Sequence, residues 1–202
     1  MIDYSLDTNQ PVILIGAGGH SRIIMDCLKI SGAKVIAHFD HRKSEWLEEI
    51  GVNYIDENQL NDFASHKLQM VMSFIGSGPK KLETRFHEME NLAKKGALFP
   101  NIIHPTAVVS KECSIGMGVQ ILAGAVVNAN VKLDNGCIIN SNATVEHDTL
   151  VGKGVHVAPN ATVLGQVQVG DYAYVGSSSV LIQKSIVQKR SFIKALSLYQ
   201  SN

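Results

Sequence analysis

The stretch from Pro105 to Gln188 constrains the fold more than any other part of this 202-residue chain. Every sixth residue from Val109 to Val187 is Val, Ile or Leu, with no polar substitution and no insertion. Two residues earlier in each hexad runs a second column of mostly small residues, among them Ala107, Cys113, Ala125, Cys137, Ala143, Ala161, Ala173 and Ser179. A register kept this long marks an internal repeat of period six. Read physically, it is a β-solenoid of short stacked strands. The aliphatic column fills the interior, and the small column sits where the chain turns inward. On this reading the repeat stops after Gln188. Residues 189–202, with Phe192, Ile193, Leu196, Leu198 and Tyr199, are expected to form a short helix or arm that caps the exposed strand edges.

The preceding hundred residues have a different rhythm. Pro11-Val-Ile-Leu-Ile reads as a buried strand and runs straight into Gly16-Ala-Gly-Gly-His20-Ser21. Helical spacing follows from Arg22 to about Gly32, then a second strand, Lys34–Phe39, closing on Asp40. Strand, glycine turn, helix and parallel strand make a βαβ unit. Short helices are expected at Glu45–Ile50 and Glu57–Ala64, strands at Val52–Ile55 and Leu68–Ile75, and a helix from about Pro79 to Lys95. Gly96 stands where a helix C-cap glycine would. The domain boundary is therefore placed near residue 100: a small Rossmann-like α/β domain at 1–100, a β-helix at 101–188, and a cap or arm at 189–202.

Eighteen basic and eighteen acidic residues cancel and are evenly mixed, which argues against a nucleic-acid or anionic-membrane surface. No apolar run is long enough for a membrane span. Cys27, Cys113 and Cys137 form no CxxC pair, and the last two fall in the small inward column; core thiols point to a reducing cytoplasm. No histidine pair has zinc-ligand spacing with a supporting thiolate, so no metal site is expected.

A glycine turn between a strand and a helix N-terminus aims backbone N–H groups and the positive end of the helix dipole at an anion. Asp40 lies where nucleotide-binding folds place a carboxylate against a ribose hydroxyl. Gly16-x-Gly18-Gly19 lacks the last glycine of GxGxxG, and a structural tight turn is the competing reading. The domain is half the size of a dinucleotide-binding fold, which favours a mononucleotide over NAD. In the solenoid, His147 is flanked by Glu146 and Asp148, and carboxylate neighbours hold one tautomer and strengthen a general base. The alternative is a solvated, idle surface histidine, and His156 carries the same ambiguity.

The aliphatic hexads resemble those of left-handed β-helix acyltransferases. Together with Gly16-Ala-Gly-Gly-His20, Asp40, Asn142-Ala-Thr-Val-Glu-His147-Asp148 and His156-Val-Ala-Pro-Asn-Ala, they look like the NeuD/PglD group of bacterial sugar acetyltransferases. The resemblance covers about residues 11–188. It implies coils of three hexads, which would stack Gly165 one coil above His147 and leave His156 half a coil away. It implies His147 as general base with Asp148 raising its basicity. His156, the Gly165 backbone and Ser177 would contact acetyl-CoA in a groove between subunits of a homotrimer. Gly18, Gly19, His20, Asp40, His41 and Gly76 would hold the nucleotide-sugar.

The expected function is acetyl transfer from acetyl-CoA to a UDP- or GDP-linked amino sugar in the cytoplasm, for surface-glycan synthesis. O-acetylation of sialic-acid-like sugars needs the same base and is the enzymatic alternative. Relatives continue through a further coil to a Gly-x-Pro-Ala-Lys segment that helps hold CoA. Here Gln188-Lys-Arg-Ser-Phe-Ile-Lys follows instead. That departure motivates a third reading, a non-catalytic nucleotide-binding trimer.

Overall fold

The computed structural model describes residues 4–201. Its contacts group into two units, Met1–Ile75 with His87–Ile102, and Gly76–Phe86 with Ile103–Asn202. The boundary runs through a helix that the sequence pattern treats as one element.

In the first unit, β1 (Val12–Ile15), β2 (Val35–Phe39), β3 (Asn53–Tyr54) and β4 (Gln69–Met72) form a parallel sheet in the order β3-β2-β1-β4. β1 and β4 are buried at every residue. Continuous apolar runs of this kind suit strands covered on both faces of a parallel sheet. The helices are α1 (Gly19–Ile30), α2 (Glu45–Glu49), α3 (Glu57–Ser65) and α4 (Pro79–Lys94). α1 starts at Gly19 rather than Arg22, because Gly18 is its N-cap and Gly19, His20 and Ser21 make its first turn. At α3, Asp56 accepts from the Gln59 N–H at 2.9 Å while the Gln59 side chain accepts from the Asp56 N–H at 3.0 Å, a reciprocal capping box. α4 stops just short of Gly96, whose φ of +115° is open to glycine and whose hypothetical Cβ would lie 2.9 Å from the Ala64 carbonyl oxygen.

The second unit is a left-handed β-helix of two-residue strands in three parallel sheets. The first face holds β5 (Ile102–Ile103), β8 (Gln120–Ile121), β11 (Ile138–Ile139), β14 (His156–Val157), β17 (Tyr174–Val175) and β20 (Phe192–Ile193). The second holds β6 (Val108–Val109), β9 (Val126–Val127), β12 (Thr144–Val145), β15 (Thr162–Val163), β18 (Val180–Leu181) and β21 (Leu198–Tyr199). The third holds β7 (Ser114–Ile115), β10 (Lys132–Leu133), β13 (Leu150–Val151), β16 (Gln168–Val169) and β19 (Ile186–Val187). Paired residues on each face are eighteen apart, as in Leu133↔Val151 and Val145↔Val163, so three hexads make one coil. The aliphatic column lies inside: Ile121, Val145, Val157 and Val163 have no exposure. Each such side chain contributes roughly 1.5–3 kcal/mol on leaving water.

Between the strands the corners share one backbone device. The residue three after each interior aliphatic position has positive φ, from Gly118 through Asp148 to Leu196, without interruption. Glycine fills only Gly118, Gly124, Gly136 and Gly154 of that series; Asn130, Asn142, Asp148 and Asn160 are the next most tolerant types. Gln166, Tyr172, Ser178, Lys184, Arg190 and Leu196 hold the same conformation at roughly 1–2 kcal/mol each.

That series overturns the expected cap. Residues 189–200 are not a helix or arm: β20 pairs with β17 and β21 with β18, and Ile193 and Tyr199 continue the interior column at six-residue steps. The Arg190 N–H donates to Asp171 O at 2.8 Å and the Leu196 N–H to Ser177 O at 3.0 Å, so the coil below dictates the turn. The β-helix therefore has the further coil that the sequence reading found missing. Within this unit the first half of α4 is tied to the coils. Arg85 is fully buried and donates to Gly136 O at 3.0 Å, Phe86 meets Tyr172 at 5.5 Å between ring centres, and Glu83 pairs with Arg190.

Candidate active site

Three predicted residues meet at one corner between the second and third faces. The backbone ladder there is continuous: the Asp148 N–H donates to Ala129 O at 3.1 Å and the Gln166 N–H to His147 O at 3.0 Å, which seats Gly165 directly over the His147 ring. A Cβ built on Gly165 would lie 2.7 Å from His147 Nε2 and 2.8 Å from Cε1. On the other side of the ring, Nδ1 is 2.8 Å from Asp148 Oδ2. Asp148 Oδ1 accepts from Asn130 Nδ2 at 3.2 Å. These bonds, from His147 first and Asn130 second, hold the Asp148 carboxyl below the usual carboxylate range. An anionic partner on Nδ1 fixes that nitrogen as the N–H donor and leaves Nε2 to accept a proton. The His147 side chain is 52% exposed.

His156 and Ser177 are elsewhere. His156 is on the outer side of the first face, only 4% exposed, with Nε2 3.0 Å from Asn140 Nδ2 and its ring edge-on to Tyr174. Tyr174 in turn stacks on Phe192, which is 56% exposed. Ser177 is half-buried at the corner between the first and second faces. One chain thus presents His147 at one corner and His156 with Ser177 around the prism from it. Asn140 escaped the sequence reading. It directly follows an interior residue of the repeat, where a polar residue reads as solvated, yet it is 5% exposed and committed to His156.

In the first unit the glycine turn is tied to Asp40. The carboxylate accepts from the Ala17 N–H at 2.7 Å through Oδ2 and from the His41 N–H at 2.6 Å through Oδ1. Asp40 therefore shapes the turn as well as facing the hollow of about 210 Å³ that it lines with Gly16, Phe39, His41 and Phe74. Gly16, at φ +110°, lets the chain pass Phe74, whose Cβ would be 2.9 Å from a side chain there. Gly18 and Gly19 are exposed, with nothing within 4 Å of where a Cβ would stand. His20 is buried in the first turn of α1. Trp46 Nε1 donates to Ala17 O at 3.3 Å, and the Arg22 guanidinium lies over its ring at 4.4 Å. Buried His38, pushed down from its usual pKa by desolvation, bridges Val52 O and the Ser44 N–H and so braces the loop after Asp40. Gly76 falls in the other unit, packed on Lys81.

The thiols are poor nucleophiles. Burial pushes Cys27 up to about 11 and Cys137 further, and it raises Cys113.

Comparison with known proteins agrees with this fold. Residues 11–83 match the family described as PglD N-terminal domain, and 112–147 and 148–183 match bacterial transferase hexapeptide repeats. PerB from Caulobacter crescentus, solved in complex with CoA and GDP-perosamine, superposes with a TM-score of 0.84 at 26% identity, over 94% of this chain and 88% of that one. The chain is an acetyltransferase, similar in both halves to the NeuD/PglD type. The acetyltransferase domain of PglB from Neisseria gonorrhoeae, in complex with acetyl coenzyme A, gives 0.82 at 28% identity over 92% and 88% of the two chains. WeeI from Acinetobacter baumannii, at 17% identity and a TM-score of 0.71, shares the fold over 95% of this chain and 96% of that one. No curated protein sequence matches. Both halves of this acetyltransferase are thus matched separately, and solved structures match them in the same order. Among the described residues, no helix is long and apolar enough to cross a membrane.

Proposed function

We propose that this acetyltransferase moves the acetyl group of acetyl-CoA onto the amino group of a nucleotide-linked amino sugar, with His147 as general base. The observation that carries the reading is the His147 ring itself, held at Nδ1 by Asp148 and aimed at Nε2 toward Gly165. The sugar nitrogen attacks the thioester carbonyl carbon, a C–N bond forms, and the C–S bond breaks to release CoA thiolate. His147 Nε2 removes the proton from the attacking nitrogen and can return it to the leaving sulfur. The Gly165 backbone N–H is assigned to the carbonyl oxygen, where a donor stabilises the charge that develops in the transition state. No acyl-enzyme is required, in keeping with the raised thiols.

A homotrimer completes the site in this proposal. His147 and His156 stand on different parts of one prism, so a neighbouring subunit supplies whichever one the other lacks. An open groove of about 670 Å³ runs along the third face, and Ser114, Lys132 and Leu150 line both it and the recess beside Asp148. Because His156 is nearly enclosed, we assign it to orienting Asn140 and presenting only its edge to the thioester. The glycine turn, with Gly18 and Gly19 open and Asp40 beside them, takes the nucleotide diphosphate. The repeat runs on through β21, which supports the catalytic reading over a non-catalytic scaffold. We place the reaction in the cytoplasm.

The test is a substrate panel: UDP- and GDP-linked 4-amino sugars and sialic acids, each with acetyl-CoA, read by CoA release and by mass spectrometry of the product. An N-acetylated nucleotide-sugar supports the proposal. An O-acetylated sialic acid as the sole product transfers it to the O-acetylation reading.

A further inference from the structure

We propose that Asn130 is a positioning residue for the His147–Asp148 pair, acting through the Asp148 carboxylate; this rests on the reading of His147 as the base. Asn130 lies eighteen residues before Asp148, one coil below at the same corner. Both residues have left-handed backbones, φ 59° and 60°, so their side chains leave the two turns in parallel. Asn130 Nδ2 reaches Asp148 Oδ1 at 3.2 Å, while Oδ2 is 2.8 Å from His147 Nδ1.

A carboxylate held through one oxygen can rotate about its Cβ–Cγ bond and let the imidazole turn with it. Held through both oxygens, it keeps the ring in the orientation that directs Nε2 to Gly165. Both ends of the pair are exposed, with side-chain accessibilities of 52% for His147 and 44% for Asp148, so packing does not fix them. Hydrogen bonds are what remain to define the geometry. The other charged groups of this recess are Glu112 and Lys132, which line it with Ser114 and Leu150.

A purely conformational explanation competes, since asparagine tolerates a left-handed backbone better than most residues. Two substitutions separate the two roles. Asn130→Gly keeps the backbone conformation and deletes the amide. Asn130→Asp keeps both the shape and much of the backbone tolerance, but replaces the donor with a second carboxylate facing Asp148. A conformational role predicts normal turnover from both.

The positioning role predicts that Asn130→Gly lowers kcat about ten-fold, the lower end of the scale for one charge-assisted hydrogen bond, with KM for acetyl-CoA and sugar unchanged. It predicts a loss at least as large in Asn130→Asp. In that variant the acidic limb of the kcat profile also moves to higher pH, because a second negative charge beside the pair favours its protonated forms. Wild-type kcat and pH profile in Asn130→Asp, alongside an inactive His147→Ala control, would overturn this inference alone. Full turnover by His147→Ala would overturn the base assignment and this inference with it.

Discussion

Gly165→Ala is the sharpest perturbation the site allows. The added Cβ would sit 2.7 Å from His147 Nε2, 2.8 Å from Cε1 and 3.2 Å from Cδ2. Non-bonded contact with carbon begins at about 3.5 Å, so the ring must retreat by roughly 0.8 Å. Gly165 does not have positive φ, so alanine meets no backbone penalty there. The imidazole is half-exposed, so the displaced ring moves toward solvent rather than into packed neighbours. Stability should consequently change by less than about 1 kcal/mol, within the ordinary range for surface substitutions. Chemistry should suffer far more. A displacement near 1 Å at a reacting group can cost about 100-fold, equivalent to about 2.7 kcal/mol of barrier. The assay is CoA release at saturating and subsaturating sugar, with thermal melting on the same preparation. A fall of about 100-fold in kcat/KM with a melting point within a few degrees of wild type is the expected result. Combining Gly165→Ala with His147→Ala should add no further loss, because both act on the same base. Near-wild-type turnover by Gly165→Ala would refute the stacking of ring on glycine as the catalytic geometry.

The other expectations test the fold and the electrostatics. Leu196→Gly relieves a left-handed backbone at a residue that is 84% exposed, and should raise the unfolding free energy by about 0.5–1 kcal/mol in denaturant titrations; destabilisation would show that the C-terminal coil is not built as described. Gly16→Ala adds a Cβ 2.9 Å from Phe74 at φ +110°, and should cost about 2 kcal/mol or more and abolish nucleotide-sugar binding in calorimetry. The Asp148 carboxyl is held below its ordinary value when folded, so its stabilisation is present above about pH 4, the unfolded carboxylate range, and is lost as pH falls through the lower folded value. The melting-point gap between wild type and Asp148→Asn should therefore be largest near neutrality and close in strong acid; a gap that widens with acid would contradict the assignment.

Much of the fold is legible because the interior of a solenoid admits few residue types. The column from Val109 to Val187 and the run Val12–Ile15 are each committed to packing inside, and no tertiary detail changes that. The last coil is hidden in the sequence for a physical reason. Its interior positions, Ile193 and Tyr199, keep the period, but its turns carry Arg190 and Leu196, which do not announce a left-handed conformation. Hydrogen bonds to the Asp171 and Ser177 carbonyls in the coil below impose it. Arg85 is equally opaque. An arginine on a polar-looking helix reads as solvated, whereas here it is fully buried against Gly136 O. At the candidate site, the spacing of eighteen brings His147 under Gly165 as the family resemblance implies. Asn130 and Asn140 are invisible in the sequence because each acts through one partner, Asp148 or His156, far along the chain. Asp40 carries a signal that sequence leaves undivided, since one carboxylate both shapes the glycine turn and faces its hollow.

The most direct measurement is acetyl transfer from acetyl-CoA to a nucleotide-linked 4-amino sugar by wild type and His147→Ala, with CoA affinity measured on both. The account predicts turnover by wild type and a loss of about 100-fold or more in His147→Ala, the scale of a lost general base, with CoA binding intact. Equal turnover by the two proteins would contradict it.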